Sequence, residues 1–311
     1  MKNTVQICSL CVVVLIVIAS VIVPGEKHVA AGAAKPAASA NFHTWKVGMS
    51  VKVPKDGGEE AFKAWKAAGI DVVELGVPRV DSDEEAVQAS AWARQVKGWA
   101  DEAGIQLWSI HIPFARDLDI SNASEAEREK VVANLGRLIK AYGPLGVEKM
   151  VIHGSYEITN PIPLGDREVR IASSHKSLGE LAPFAAAVHA QLALEELPRS
   201  CLGNTSAEVT RLLAGLGRVG ICLDTNHLIK QETPQHFISI VGRRIVTIHV
   251  SDNDGIDERH WLPGKGIIDF KLIILGLQAK GYKGPWMFES AGTADEKVAD
   301  WSRLKDLAAA R

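Results

Sequence analysis

The sequence predicts a single (β/α)8 barrel, an α/β fold, over residues 41–311, and three observations predict it. From Trp45 onward, short apolar runs alternate with amphipathic helical stretches, eight of each. Strict alternation implies parallel strands joined by crossovers. The body is close to the roughly 250 residues of one barrel domain, with no linker that would divide it. An open dinucleotide-binding sheet is disfavoured because no G-x-G-x-x-G follows the first strand.

The expected strands are Lys46–Val51, Asp71–Gly76, Gln106–Ile112, Lys149–His153, Gln191–Glu195, Val219–Asp224, Ile245–Val250 and Pro285–Glu289. Continuous apolar runs suit them, because strands covered by helices are buried on both faces. The helical stretches fall at Glu59–Ala68, Asp83–Ala103, Ser124–Tyr142, Arg167–His189, Ser206–Leu216, Pro234–Val241, Asp269–Lys280 and Ala294–Ala309. Ser124 followed by Glu127 reads as a capping box. Gly69, Gly104, Gly217 and Gly281 sit where helices should stop.

Residues 1–40 are expected to lie outside the barrel. Lys2 precedes an almost unbroken apolar run from Ile7 to Val23, ended by Pro24-Gly25. A small-residue linker follows, and its Ala38-Ser39-Ala40 fits an A-x-A cleavage site. The run suits a cleaved signal peptide or an uncleaved membrane anchor. Either places the barrel outside the cytoplasm, in the periplasm or extracellular space, with membrane contact only through this segment. Of four cysteines, Cys8 and Cys11 lie in the targeting segment, and Cys201 and Cys222 read as buried thiols.

The formal net charge is −2 and no basic block is present. That argues against a nucleic-acid partner, whose phosphates call for clustered Lys and Arg.

The chemistry is written at the strand ends. Active sites of these barrels sit at the C-terminal rim, and seven of the eight expected ends carry an ionisable ligand: Glu74, His111, His153, Glu195, Asp224, His249 and Glu289. Buried Asp and Glu are rare unless paired or metal-bound. A ring of ion pairs would need Lys or Arg at matching ends, and none is there. Glu195, Asp224, His249 and Glu289, from four consecutive strands, therefore predict a divalent-metal site. Three carboxylates and one imidazole suit Mn²⁺ or Mg²⁺, with Co²⁺ or Zn²⁺ also compatible.

The body resembles the xylose isomerase-like barrel superfamily, which contains sugar isomerases and epimerases and the endonuclease IV-type AP endonucleases. The resemblance is carried by Leu194-Glu195-Glu196-Leu197-Pro198, Leu223-Asp224-Thr225-Asn226-His227, His249-Val250-Ser251-Asp252-Asn253, His260-Trp261-Leu262-Pro263-Gly264-Lys265-Gly266 with Ile268-Asp269, and Gly284-Pro285 leading to Glu289. It implies that Glu195 and Glu289 both bind metal and exchange protons with a carbohydrate through a metal-stabilised enediolate. Asp224 and His249 would complete the metal site, and His227 would bind substrate. His111, His153, His260, Trp261 and Glu74 join His227 as candidate substrate-binding residues, with loop positioning, packing or support of a ligand as their plainer roles. Trp45 fits either sugar stacking or packing, and Gly264-Lys265-Gly266 either a phosphate contact or a covering turn.

Two features depart from the ketose 3-epimerase pattern. Glu196 stands where relatives often carry Asn, and strand alternation points it away from the interior, to the surface or a supporting position. The first Arg after His249 is Arg259, later than those epimerases place one. Three further readings stay open. A lyase or dehydratase on a keto-sugar or keto-glycoside would share the first deprotonation. A multi-zinc endonuclease IV-like phosphodiesterase would use His111, His153, Glu195, Asp224, His227, His249, His260 and Glu289, with Glu258 where those enzymes use Asp. A tethered sugar-binding protein without catalysis would need no second proton-transfer carboxylate. A second metal and an oligomer are compatible with the chain.

Overall fold

The computed structural model describes residues 41–54, 57–156 and 164–310. The expected signal or anchor segment, 1–40, lies outside the described residues.

Eight strands form one parallel sheet: β1 Val47–Val51, β2 Val72–Gly76, β3 Gln106–His111, β4 Lys149–His153, β5 Gln191–Glu195, β6 Gly220–Asp224, β7 Ile245–His249 and β8 Trp286–Phe288. Their order, β7-β6-β5-β4-β3-β2-β1-β8, brings the two ends of the sheet together. Closure runs through Val250, whose amide donates to the Met287 carbonyl at 2.8 Å, while the Glu289 amide donates back to Val250 at 3.1 Å. The predicted barrel is thus formed, and a closed barrel leaves no strand edge exposed.

The helices are α1 Gly58–Ala68, α2 Asp83–Ala103, α3 Glu125–Tyr142, α4 Leu164–Ala187, α5 Ser206–Leu212, α6 Pro234–Val241, α7 Phe270–Lys280 and α8 Ala294–Ala309. Among the described residues, none is long and apolar enough to cross a membrane. Each packs an apolar stripe on the sheet, so strand residues such as Leu194, Ile221 and Ile248 are buried. Inside the barrel, Val151, Ala193 and Cys222 form a separate small cluster. Cys222 therefore lies one layer below Asp224, as alternation along β6 requires.

Two local expectations are corrected and one open choice, at Trp45, is decided. Ser124 precedes α3 but its side chain makes no capping bond. The complete capping box is instead at Thr293, whose hydroxyl accepts from the Glu296 amide while Glu296 accepts from the Thr293 amide. Gly217 does not stop α5, which ends at Leu212 with Leu213 as its cap; Gly69, Gly104 and Gly281 do cap their helices in the left-handed conformation. Trp45 precedes β1 at the end of the barrel opposite the strand-end ligands. It is buried and stacked with Trp286 and Trp301, so its role is packing.

Thr293→Ala is expected to lower stability by about 1 kcal/mol, and Ser124→Ala by only a few tenths. Thermal or urea melts of the two variants check this. Equal losses would contradict the assignment of the box.

Candidate metal and catalytic site

The rim gathers the predicted ligands because consecutive parallel strands end at one level. His153 pairs in register with Glu195, and Asp224 with His249. One donor atom from each of Glu195, Asp224, His249 and Glu289 falls within 4.8 Å of the others. A second group, His111, His153 and Glu195, meets the same criterion and shares Glu195 with the first.

His249 is the hub. Its Nδ1 lies 3.0 Å from Glu195 Oε1 and 2.9 Å from Glu289 Oε2, and its Nε2 lies 2.8 Å from Glu74 Oε1. Glu74 is fully buried and accepts from Ser109 Oγ at 2.7 Å. Glu74 thus lies behind the imidazole, where the outer carboxylate partner of a metal-ligating histidine would sit. On the other side of Glu195, Oε2 lies 3.1 Å from His111 Nε2 and 3.2 Å from His153 Nε2.

Three histidines at the mouth share one orientation. His111 Nδ1 meets the Ile112 carbonyl at 3.0 Å, His227 Nδ1 the Glu196 carbonyl at 2.8 Å, and His260 Nδ1 the Glu289 carbonyl at 3.0 Å. A carbonyl only accepts, so each Nδ1 carries the proton and each Nε2 is left to the site. His227 Nε2 lies 3.5 Å from Asp224 Oδ2 and 3.4 Å from Glu258 Oε1. His260 holds a left-handed backbone conformation, φ 47°, a local strain that the surrounding loop must stabilise.

The charge balance calls for a cation. Among the described residues, every ion pair made by Glu74, Glu195, Asp224 and Glu289 runs to a histidine. Against the cost of its own burial, the surrounding carboxylates hold the His249 pKa well above its usual value. His111 is likewise raised to about 9: burial works against its charge, but the hydrogen bond to Glu195 and the charges of Glu195, Glu74 and Glu289 together outweigh it. Those protons stand where a metal's charge would. Asp224 Oδ2 is buried and makes no hydrogen bond among the described residues, and burial raises its pKa to about 6. A buried carboxylate oxygen without a donor, beside an imidazole and two more carboxylates, fits a divalent ion.

Of the two places expected for Glu196, the surface or a supporting position, it takes the second: it is fully buried, and its Oε1 accepts from the Asp224 amide at 2.8 Å. Burial, with the Asp224 and Glu195 carboxylates beside it, pushes its pKa well above the ordinary range. Through its bond to the amide, Glu196 fixes the backbone that presents Asp224.

Asp252 builds the loop between β7 and α7. Its carboxylate accepts from the amides of Asn253, Gly264, Gly266 and Ile268 at 2.8–3.1 Å. Gly264-Lys265-Gly266 is therefore a turn whose glycine amides are already engaged, not a phosphate cradle. Gly266 has no room for a side chain, because a Cβ there would lie 2.0 Å from the Asn253 carbonyl oxygen. Trp261 pairs through its backbone with Asp252 at 2.8 and 3.1 Å, and it lines neither cavity at the mouth.

A cavity of about 230 Å³ opens over this cluster, lined by His111, His153, Glu195, His227, His260 and Glu289 among others. Arg199, ion-paired with Glu258 at 2.8 Å, closes one side. Phe114 forms another wall, stacked on His153 with ring centroids 4.2 Å apart. Sequence reasoning passed over Phe114. Its one signal is its position, the first aromatic residue after the end of β3. A separate cavity of about 500 Å³ lies at the opposite face, around Lys46, Trp108 and Lys149, away from these ligands.

The comparisons agree with this architecture. The family model described as xylose isomerase-like TIM barrel matches residues 62–306. An uncharacterized protein of Methanocaldococcus jannaschii, MJ1311, is 26% identical over 196 residues, covering 60% of this chain and 65% of that protein; the chain thus spans just under two thirds of that relative's length. Among solved structures, a D-tagatose 3-epimerase-like protein superimposes with a TM-score of 0.71 at 20% identity, covering 85% of this chain and 98% of the other. The 3-keto-D-glucoside 4-epimerase YcjR of E. coli gives 0.66 at 20% identity with the same coverage. At that identity the two structures bear on the fold alone. With the family model spanning most of the barrel, the chain belongs to the xylose isomerase-like TIM barrel family.

Proposed function

We propose that this protein is a divalent-metal-dependent isomerase or epimerase of a keto-sugar or keto-glycoside. One observation carries the proposal: two carboxylates, Glu195 and Glu289, approach His249 Nδ1 within 3.0 and 2.9 Å from strands separated by β6 and β7. Neighbouring imidazoles hold both pKa values below the ordinary carboxylate range despite burial, Glu289 at about 2. Both are therefore ionised and able to take a proton. The names of the two solved structures above point to the same class of chemistry.

Glu195, Asp224, His249 and Glu289 would hold the ion, which when bound supplies Lewis-acid polarisation of a substrate carbonyl. The remaining chemistry belongs to the chain. Glu289, with its side chain 30% exposed, faces the cavity; Glu195 is only 1% exposed, with Oε2 between His111 and His153. Glu289 removes the proton alpha to the carbonyl, and Glu195, which takes a proton from His111 Nε2 3.1 Å away, returns one to the planar intermediate. His111, His227 and His260 present Nε2 at the site, where it can hydrogen-bond substrate hydroxyls. A lyase would share the first step and then expel a group.

A second reading rests on the second donor group. His111, His153 and Glu195 would hold another ion, and Glu195 belongs to both donor groups. More than one tightly bound ion per chain, chiefly zinc, would favour the multi-metal phosphodiesterase chemistry over the sugar reading. The chain's net charge of −2 weighs against DNA as its substrate. The export suggested by residues 1–40 belongs to the proposal too; N-terminal sequencing of the protein recovered from its compartment tests it.

Incubating the Mn²⁺-loaded protein with ketoses and keto-glycosides in D₂O, followed by NMR, tests the reaction. Deuterium entering one carbon with the skeleton intact supports epimerisation or isomerisation. Loss of a group identifies a lyase, and no exchange on any keto-sugar defeats the proposal. Chelation is expected to lower stability by about 3 kcal/mol for an ion present at a hundredfold over its Kd, seen as a fall of several degrees in Tm and reversed by adding Mn²⁺. An unchanged Tm would contradict a resident ion.

A further inference from the structure

The catalytic cavity does not end at the sugar-sized space over the ligands. A groove of about 840 Å³ continues from it towards β1 and β2, against about 230 Å³ over the ligands themselves. The two share His111, Phe114, His260 and Glu289, so a molecule held at Glu289 reaches the groove directly.

The character of the wall changes along this path. Over the ligands it is histidine and carboxylate. In the groove it becomes Val51, Val53, Val77, Pro78, Trp92 and Pro113, with Lys52 the one Lys or Arg among the described residues that line it. Phe114 stands at the junction. One face rests on His153 and the residue is 52% exposed, an aromatic surface left to water beside a catalytic cluster. Large apolar side chains gathered at the mouth of a polar site mark a place where a ligand covers them. A phosphate would instead need convergent Arg, Lys or amide donors, and the nearby glycine amides of residues 264 and 266 are taken by Asp252. A free monosaccharide has no apolar part to fill the space.

We infer that the substrate is a glycoside whose sugar ring sits over Glu195 and Glu289 and whose apolar aglycone, aryl or alkyl, lies in the groove between Phe114, Val53 and Pro78. This rests on the proposed sugar chemistry for the ring and on the groove for the aglycone, and the two can fail separately.

The test uses unreactive probes. Binding of matched 4-nitrophenyl and methyl glycosides of glucose, galactose and xylose to the Mn²⁺-loaded protein is measured by titration calorimetry. At least one aryl glycoside is expected to bind about ten- to one-hundredfold more tightly than its methyl counterpart, the gain from burying an aromatic ring. Val53→Asp, on a half-buried loop position, is expected to bring that ratio close to one. Pro78→Glu, at an exposed position, serves the same purpose if the first variant does not fold. No aryl preference in any pair, or a preference that survives both folded variants, overturns the inference. Aryl preference without deuterium exchange on any keto-glycoside would sustain the groove and defeat the sugar chemistry. Exchange on free ketoses without aryl preference would do the reverse.

Discussion

Glu289→Gln is expected to abolish deuterium exchange into substrate, by about a thousandfold or more, while substrate binding falls far less. Glutamine keeps the shape of the side chain and one oxygen towards His249 but cannot accept the substrate proton. Glu289 is the more exposed of the two candidate bases and lines both cavities. Glu195, by contrast, touches His111, His153 and His249 at once, so its replacement would mix proton transfer with collapse of the ligand set. The informative measurement is therefore single-turnover exchange in D₂O for the Glu289 variant, paired with its metal content and substrate affinity. Wild-type exchange rates with full metal content would remove Glu289 from proton transfer. Lost exchange together with lost metal would reduce it to a ligand.

Asp252→Ala is expected to destabilise the barrel by about 4 kcal/mol and to open the loop that follows β7. Four backbone amides converge on this buried carboxylate, and each would lose a charge-assisted bond on removal. Glu258 and His260 ride on the same loop, so activity should fall more steeply than global stability accounts for. Limited proteolysis should then cut between residues 253 and 268 before the rest of the barrel, with a Tm lower by several degrees. An intact loop in a protein of normal Tm would show that the amides find other acceptors and that Asp252 does not organise this segment.

The fold was legible because its signals are local. Strands buried on both faces must be apolar throughout, and the break in each run, at Glu195, Asp224, His249 or Glu289, marks the rim. Knowing that the rim of a parallel barrel is one place in space was enough to gather the ligand set. The exceptions show where local reading stops. Ser124 and Thr293 carry the same capping pattern, yet only Thr293 uses it, because the path of the chain entering each helix decides whether the hydroxyl can reach the amide. Alternation pointed Glu196 away from the barrel interior but left surface and supporting positions open, and only the fold decided between them: the residue is fully buried and accepts the Asp224 amide.

The amino-acid sequence by itself determined the barrel, the rim and which ionisable residues gather there as candidate metal donors, since each follows from hydrophobic periodicity or from the rarity of buried charge. Only the tertiary structure decided how those donors are wired: Glu74 behind His249, Glu195 shared between two donor groups, and three histidines turned by backbone carbonyls to present Nε2. It also decided that Phe114 fronts the site while Trp45 is buried at the opposite end. Aromatic residues look alike in a sequence, and which of them meets a ligand depends on contacts between strands far apart in the chain.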